Sequence, residues 1–188
     1  MLLATSPENQ KGIYLLASAY REKKMYDLST ASFNKITADS DLYASARINM
    51  GMILKQENRI EEAMGIIKEG ILRKKDTPGF YLFLSSLQEG NKDLAAAEGT
   101  LKEGLLASPE NIDLHYSLGV FFEKTDRFQE SIREMEIVLK NNPDHVDALN
   151  FIGYLYADKG INLEKAEIMI KKALQLKPEN GYIMDSML

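Results

Sequence analysis

Laid out in rows of 34 residues from Gln10, the chain repeats itself five times. One column reads Leu16, Met50, Leu84, Leu118 and Ile152, and the next reads Ala17, Gly51, Ser85, Gly119 and Gly153. Three residues on come Tyr20, Leu54, Gln88, Phe122 and Tyr156, a large apolar column broken only by Gln88. The second half of each row repeats too, through Ser29, Ala63, Ala97, Ser131 and Ala166, then Phe33, Ile67, Leu101, Met135 and Ile170, then Ile36, Gly70, Gly104, Val138 and Ala173. The last row keeps register only with one extra residue near Ile161-Asn162. A fixed period of this length makes each row one supersecondary unit that buries its apolar face against the next.

Within a row the apolar positions fall at i, i+3, i+4 and i+7, as at Ile13, Leu16, Ala17 and Tyr20 and again at Tyr26, Ser29, Phe33 and Ile36. That spacing predicts two amphipathic helices per row. Short polar stretches such as Lys23-Lys24, Glu57-Asn58 and Thr125-Asp126 separate them. Ser6-Pro7, Thr77-Pro78, Ser108-Pro109 and Asn142-Pro143 read as a capping side chain followed by a proline in the first turn of a helix. The Gly, Ala and Ser columns allow close approach of neighbouring helices, with large residues filling the flanks.

A 34-residue helix-turn-helix unit with Leu-Gly/Ala, then Tyr or Phe, then Ala, a large apolar residue, another small residue and a closing Pro resembles the tetratricopeptide repeat. The rows Ile112 to Pro143 and Val146 to Pro178 carry the pattern best, and the final row with PENGYIMDS is similar to C-terminal repeats of large bacterial repeat proteins. The resemblance implies an all-α fold, a right-handed α-α superhelix of five helix-turn-helix repeats. The expected repeats are residues 10–43, 44–77, 78–111, 112–145 and 146–180 of a single array over 1–188. Residues 1–9 read as the tail of a preceding repeat and 181–188 as the start of a sixth, so a segment of a longer protein is expected.

Composition narrows the function. The chain has no Cys, which removes disulfides, thiolate metal sites and thiol nucleophiles together. Its two histidines, His115 in a core column and His145 in a turn, have no third ligand nearby in sequence. No phosphate-binding or nucleophile-elbow motif occurs, and Glu61-Glu62 and Glu134/Glu136 read as solvated helix faces. A net charge of -5 disfavours nucleic acid. No run approaches the roughly 18 apolar residues of a membrane helix, so no membrane insertion is expected. The expectation is a non-enzyme without cofactor or metal.

What remains is binding. The face of each first helix opposite the core carries Tyr14, then Ile48, Asn49 and Met52, then Leu82 and Phe83, then Tyr116 and Val120, then Asn150 and Tyr154. These ten are the candidate peptide-binding residues, Tyr14, Met52, Tyr116 and Tyr154 foremost, because aromatics and Met suit adaptable recognition. Leu15, Phe83 and Phe151 could equally pack against a neighbouring helix. Some members of the family grip a C-terminal carboxylate with Lys, Asn and Arg on successive first helices; of the matching positions here only Asn49 fits. An apolar or amphipathic peptide is the better expectation. Residues 78–188 carry a net charge of -7, which favours a partner with some basic residues. The alternatives are self-association as a homo-oligomer, or a regulatory region of a larger bacterial protein.

Overall fold

The computed structural model describes residues 9–178. The expected preceding tail, the cap at Pro7 and the partial sixth repeat lie outside the described residues, apart from Asn9. Among the described residues there are ten helices and no strand. They are α1 (Gln10–Glu22), α2 (Tyr26–Phe33), α3 (Tyr43–Gln56), α4 (Ile60–Arg73), α5 (Pro78–Gly90), α6 (Leu94–Ala107), α7 (Ile112–Lys124), α8 (Phe128–Asn141), α9 (Val146–Asp158) and α10 (Leu163–Leu176).

The chain forms two compact units, Met1–Pro109 and Glu110–Leu188. In the first, α1/α2, α3/α4 and α5/α6 are helical hairpins, stacked through α2 on α3, α4 on α5 and α3 on α5. In the second, α7/α8 and α9/α10 are hairpins joined through α8 and α9. The repeated columns are the core. Ala17, Phe33, Ile67, Ala97 and Leu101 are fully buried in the first unit, and Met135, Val138, Ala148, Ile152 and Ala173 in the second. The small column has a steric basis. A Cβ added at Gly51 would lie 2.6 Å from Phe83 Cε1, and one at Gly153 would lie 2.6 Å from Ile170 Cγ1.

Each hairpin closes on one backbone geometry. Lys24, Asn58, Lys92, Asp126 and Gly160, spaced by the repeat period, all have left-handed φ, from 57° to 64°. The residue after each donates its N–H to a carbonyl five residues back: Met25 to Tyr20, Arg59 to Leu54, Asp93 to Gln88, Arg127 to Phe122 and Ile161 to Tyr156, at 2.8–3.0 Å. This is the six-to-one bond of a Schellman motif, which satisfies carbonyls the helix leaves open. The extra residue of the fifth row is Asn162, which takes a second left-handed conformation (φ 49°) directly before α10.

Two local expectations change. Among the described residues only Pro78 occupies a first helical turn. Pro109 and Pro143 stand ahead of their helices, and the caps are Asn111, accepting from Leu114 N–H at 2.9 Å, and His145, accepting from Ala148 N–H at 3.2 Å. Asn9 and Asp93 cap α1 and α6 in the same way. Second, α2 has eight residues where the other second helices have 14. Its hydroxyls turn onto backbone carbonyls, Thr30 on Tyr26 and Ser32 on Leu28, a competition that weakens a short helix. Ile36 keeps its core place, 2% exposed, but lies beyond the helix end.

Candidate functional site

First helices α1, α3 and α5 carry one candidate strip and α7 and α9 another, each belonging to its own unit. All ten candidate residues are half-buried or exposed, none sealed in the core. Met52 is 46% and Tyr154 50% exposed, both on first helices. Their neighbours differ in how far they are committed to packing.

In the first unit Asn49 is tied down. Its amide donates to Tyr14 Oη at 3.0 Å and to Ser45 O at 2.8 Å, and its oxygen accepts from Arg21 Nη1. Tyr14 is also set edge-on to Phe33, with centroids 5.3 Å apart. The one residue that fitted a carboxylate grip therefore serves as a brace between α1 and α3. Ile48 reaches Gly79, and Phe83 covers Gly51, so both are in contact between hairpins and form the floor of the strip. Leu82 is half-buried, while Leu15, beside Tyr14, is 60% exposed.

In the second unit Tyr116 stacks on the cap His145, with centroids 5.4 Å apart, and meets Phe151 edge-on at 6.3 Å. Tyr116, Val120 and Phe151 pack against the core cluster around Met135 and Ile152. Burial, with the nearby Asp147 charge as a lesser cause, pushes the Tyr116 phenol above its usual pKa, so it remains a neutral hydrogen-bonding group. Asn150 Oδ1 is shielded from solvent and has no hydrogen-bond partner among the described residues. Tyr154, one turn on, is the open aromatic of this strip.

Two polar pairs were not legible in single columns. His115 Nδ1 lies 2.6 Å from Glu134 Oε2, so Glu134 is not a purely solvated residue. Gln88, the polar break in its column, accepts a 2.8 Å hydrogen bond from Thr100. Thr100 and Glu134 sit one period apart, so the signal was a polar residue in one column answered by a polar residue in a facing one. Both pairs are explained by packing. Among the described residues no group of three or more His, Asp or Glu is placed to hold a metal, and no helix is long and apolar enough to cross a membrane.

Helical hairpins of this period, with a small residue at each crossing and a shared closing turn, match a known family. Residues 146–180 match the family model described as tetratricopeptide repeat. The chain is similar to tetratricopeptide-repeat proteins. The chain is 27% identical over 146 residues to a TPR repeat-containing protein of Pseudomonas aeruginosa, covering 77% of this chain. It spans only 25% of that relative's length. Among solved structures it resembles MamA (TM-score 0.68, 19% identity, 87% of this chain and 95% of that one). It also resembles YrrB, described as a TPR protein with an unusual peptide-binding site (TM-score 0.65, 17% identity, 99% and 95%). A tetratricopeptide repeat protein of Parabacteroides merdae has a TM-score of 0.72 at 14% identity, over 94% of this chain and 70% of that one. At these identities the structural likeness establishes the fold. It is a fold that supports protein–protein interaction, and such repeats are generally non-catalytic scaffolds.

Proposed function

We propose that the protein binds an extended or helical segment of a partner protein along its first helices, without catalysis. The observation that carries this reading is the pair Met52 and Tyr154, large apolar side chains about half exposed on first helices and flanked by half-buried Ile48, Leu82, Val120 and Asn150. Exposed aromatic and Met side chains with a fixed apolar floor suit a partner presenting apolar anchors. Phe83 builds that floor in the first unit and Tyr116 in the second, and the half-exposed Met52 and Tyr154 stand over them, each in its own unit. The repeats 10–43, 44–77, 78–111, 112–145 and 146–180 are the units that present these residues. The partner is apolar or amphipathic, with some basic residues to meet the acidic C-terminal half.

The test is site-specific photocrosslinking from positions 52 and 154 of the full-length protein in its native cell, with position 106 as control. Leu106 is 84% exposed but lies on the second helix α6. Discrete adducts from 52 and 154 and none from 106 are expected. Equal or stronger adducts from 106 would move the binding face to the second helices.

A further inference from the structure

The second unit has a pocket of about 100 Å³ at the C-terminal ends of α7 and α9. Tyr154, Phe128 and Leu155 form its apolar wall, Glu123, Asp126 and Asp158 its acidic rim, and Lys159 lies at the same rim. We infer that this pocket receives an arginine side chain of the partner protein. The inference rests on the proposed first-helix binding surface and names one side chain that the surface selects.

Three observations lead there. The first is the exposed Tyr154 ring, 50% open, forming one wall of a cavity rather than standing on a flat face. A planar guanidinium stacks on such a ring, and its aliphatic stem covers Phe128 and Leu155. The second is where the carboxylates stand. Glu123 lies in the last turn of α7, Asp126 just past its end, and Asp158 is the final residue of α9. The end of a helix carries its negative dipole, so acids placed there meet an unfavourable end charge. Asp126 also holds a left-handed turn position that Asp tolerates, but Glu123 and Asp158 have no such backbone role, and a cation relieves the charge of all three. The third is the balance of partners already present. Lys159 Nζ is 3.5 Å from Asp158 Oδ2, while neither Glu123 nor Asp126 has an ion pair among the described residues. One built-in cation facing three acids leaves negative charge for a guest.

The carboxylates are not placed for a metal: no group of three acids or histidines among the described residues could hold one. A wide, flat, multi-donor cation fits acids set apart around an aromatic wall, because its N–H groups point outward in one plane.

The probe is Nα-acetyl-arginine methylamide, titrated into the isotope-labelled 188-residue chain at low salt and followed by amide chemical shifts. Saturable shifts confined to residues around 123–128 and 154–159 are expected. Glu123→Gln combined with Asp126→Asn should weaken binding at least about fivefold, Tyr154→Leu should weaken it as well, and Glu164→Gln, an exposed acid outside the pocket, should leave it unchanged. The citrulline counterpart, isosteric but uncharged, should not bind, and the lysine counterpart should bind more weakly. Comparable binding of the citrulline compound, binding by the lysine compound as tight as by the arginine one, or shifts spread evenly over exposed acids including Glu164 would overturn the assignment. The titration needs no partner, so it can fail while photocrosslinking from Met52 succeeds. In that case the binding surface stands and the arginine pocket falls.

Discussion

Gln88, the single polar residue in a column of large apolar ones, has its side-chain oxygen 2.8 Å from the hydroxyl of Thr100, which donates to it across the α5/α6 hairpin. Both residues are buried, at 6% and 7% exposure. The pair thus replaces apolar contact at one point of the hairpin with a satisfied hydrogen bond. Removing one member strands the other in a dry site. Thr100→Val should cost about 1–3 kcal/mol of stability, and Gln88→Leu with Thr100→Val should recover most of that loss. Urea denaturation of the two variants checks it; a double variant no better than the single one would show that packing, not the unpaired Gln88, dominates.

Glycines in the repeat divide into two kinds. Gly153→Ala drives a Cβ into Ile170 and should destabilise by about 1–3 kcal/mol. Gly99 lies within α6 with nothing within 4 Å of an added Cβ. Gly99→Ala should therefore stabilise, by about 0.5–1 kcal/mol, through helix propensity alone. Thermal melts followed by circular dichroism would show opposite shifts in melting temperature.

The turn positions offer a stabilising change of a different origin. Lys92 holds φ 62° without the freedom of a glycine. Relief of the Cβ clash by Lys92→Gly should add roughly 0.5–1 kcal/mol, the upper part of the cost of a left-handed L-residue being offset by the more flexible unfolded chain. Equilibrium unfolding at fixed salt measures it, and a loss of stability would mean that the Lys92 side chain contributes more than its backbone costs.

Tyr116 and Tyr154 are expected to separate folding from binding. Tyr116 packs on His145 and Phe151, so Tyr116→Ala should lose about 2–4 kcal/mol. Tyr154→Ala should change stability by less than about 1 kcal/mol, since half of that side chain is already in water. A binding defect in Tyr154→Ala with an unchanged unfolding curve is the cleaner report of recognition. An unfolding curve shifted as far as that of Tyr116→Ala would assign Tyr154 to the core.

The period alone locates the fold, because burial follows the columns: Ala17, Leu118 and Ile152 are at or near zero exposure where the spacing puts them. What escaped a column-by-column reading depends on neighbours from other columns. The Ser-Thr-Ala-Ser run of α2 ends that helix early because hydroxyls bond to the local backbone, a competition that apolar spacing does not register. Pro109 and Pro143 resemble first-turn prolines in sequence, yet Asn111 and His145 two residues on supply the caps. On the candidate surface, helix spacing identifies which residues face away from the core. It does not tell that Asn49 is held by Tyr14 and Arg21 while Tyr154 opens beside a pocket, because those relations join different helices.

The shared left-handed turn has a consequence for how such a chain can grow. The same backbone angles are held by two lysines, an asparagine, an aspartate and a glycine. The joint is thus set by the main chain, and several side chains are tolerated there at a modest cost in stability. A hairpin copied from one place in the array meets the same fitting wherever it is inserted, and Asn162 marks where that fitting has already absorbed a residue more than its counterparts. Lengthening the array by gene duplication therefore calls for no newly designed corner, and the side chains at these five turns are open to selection for something other than folding.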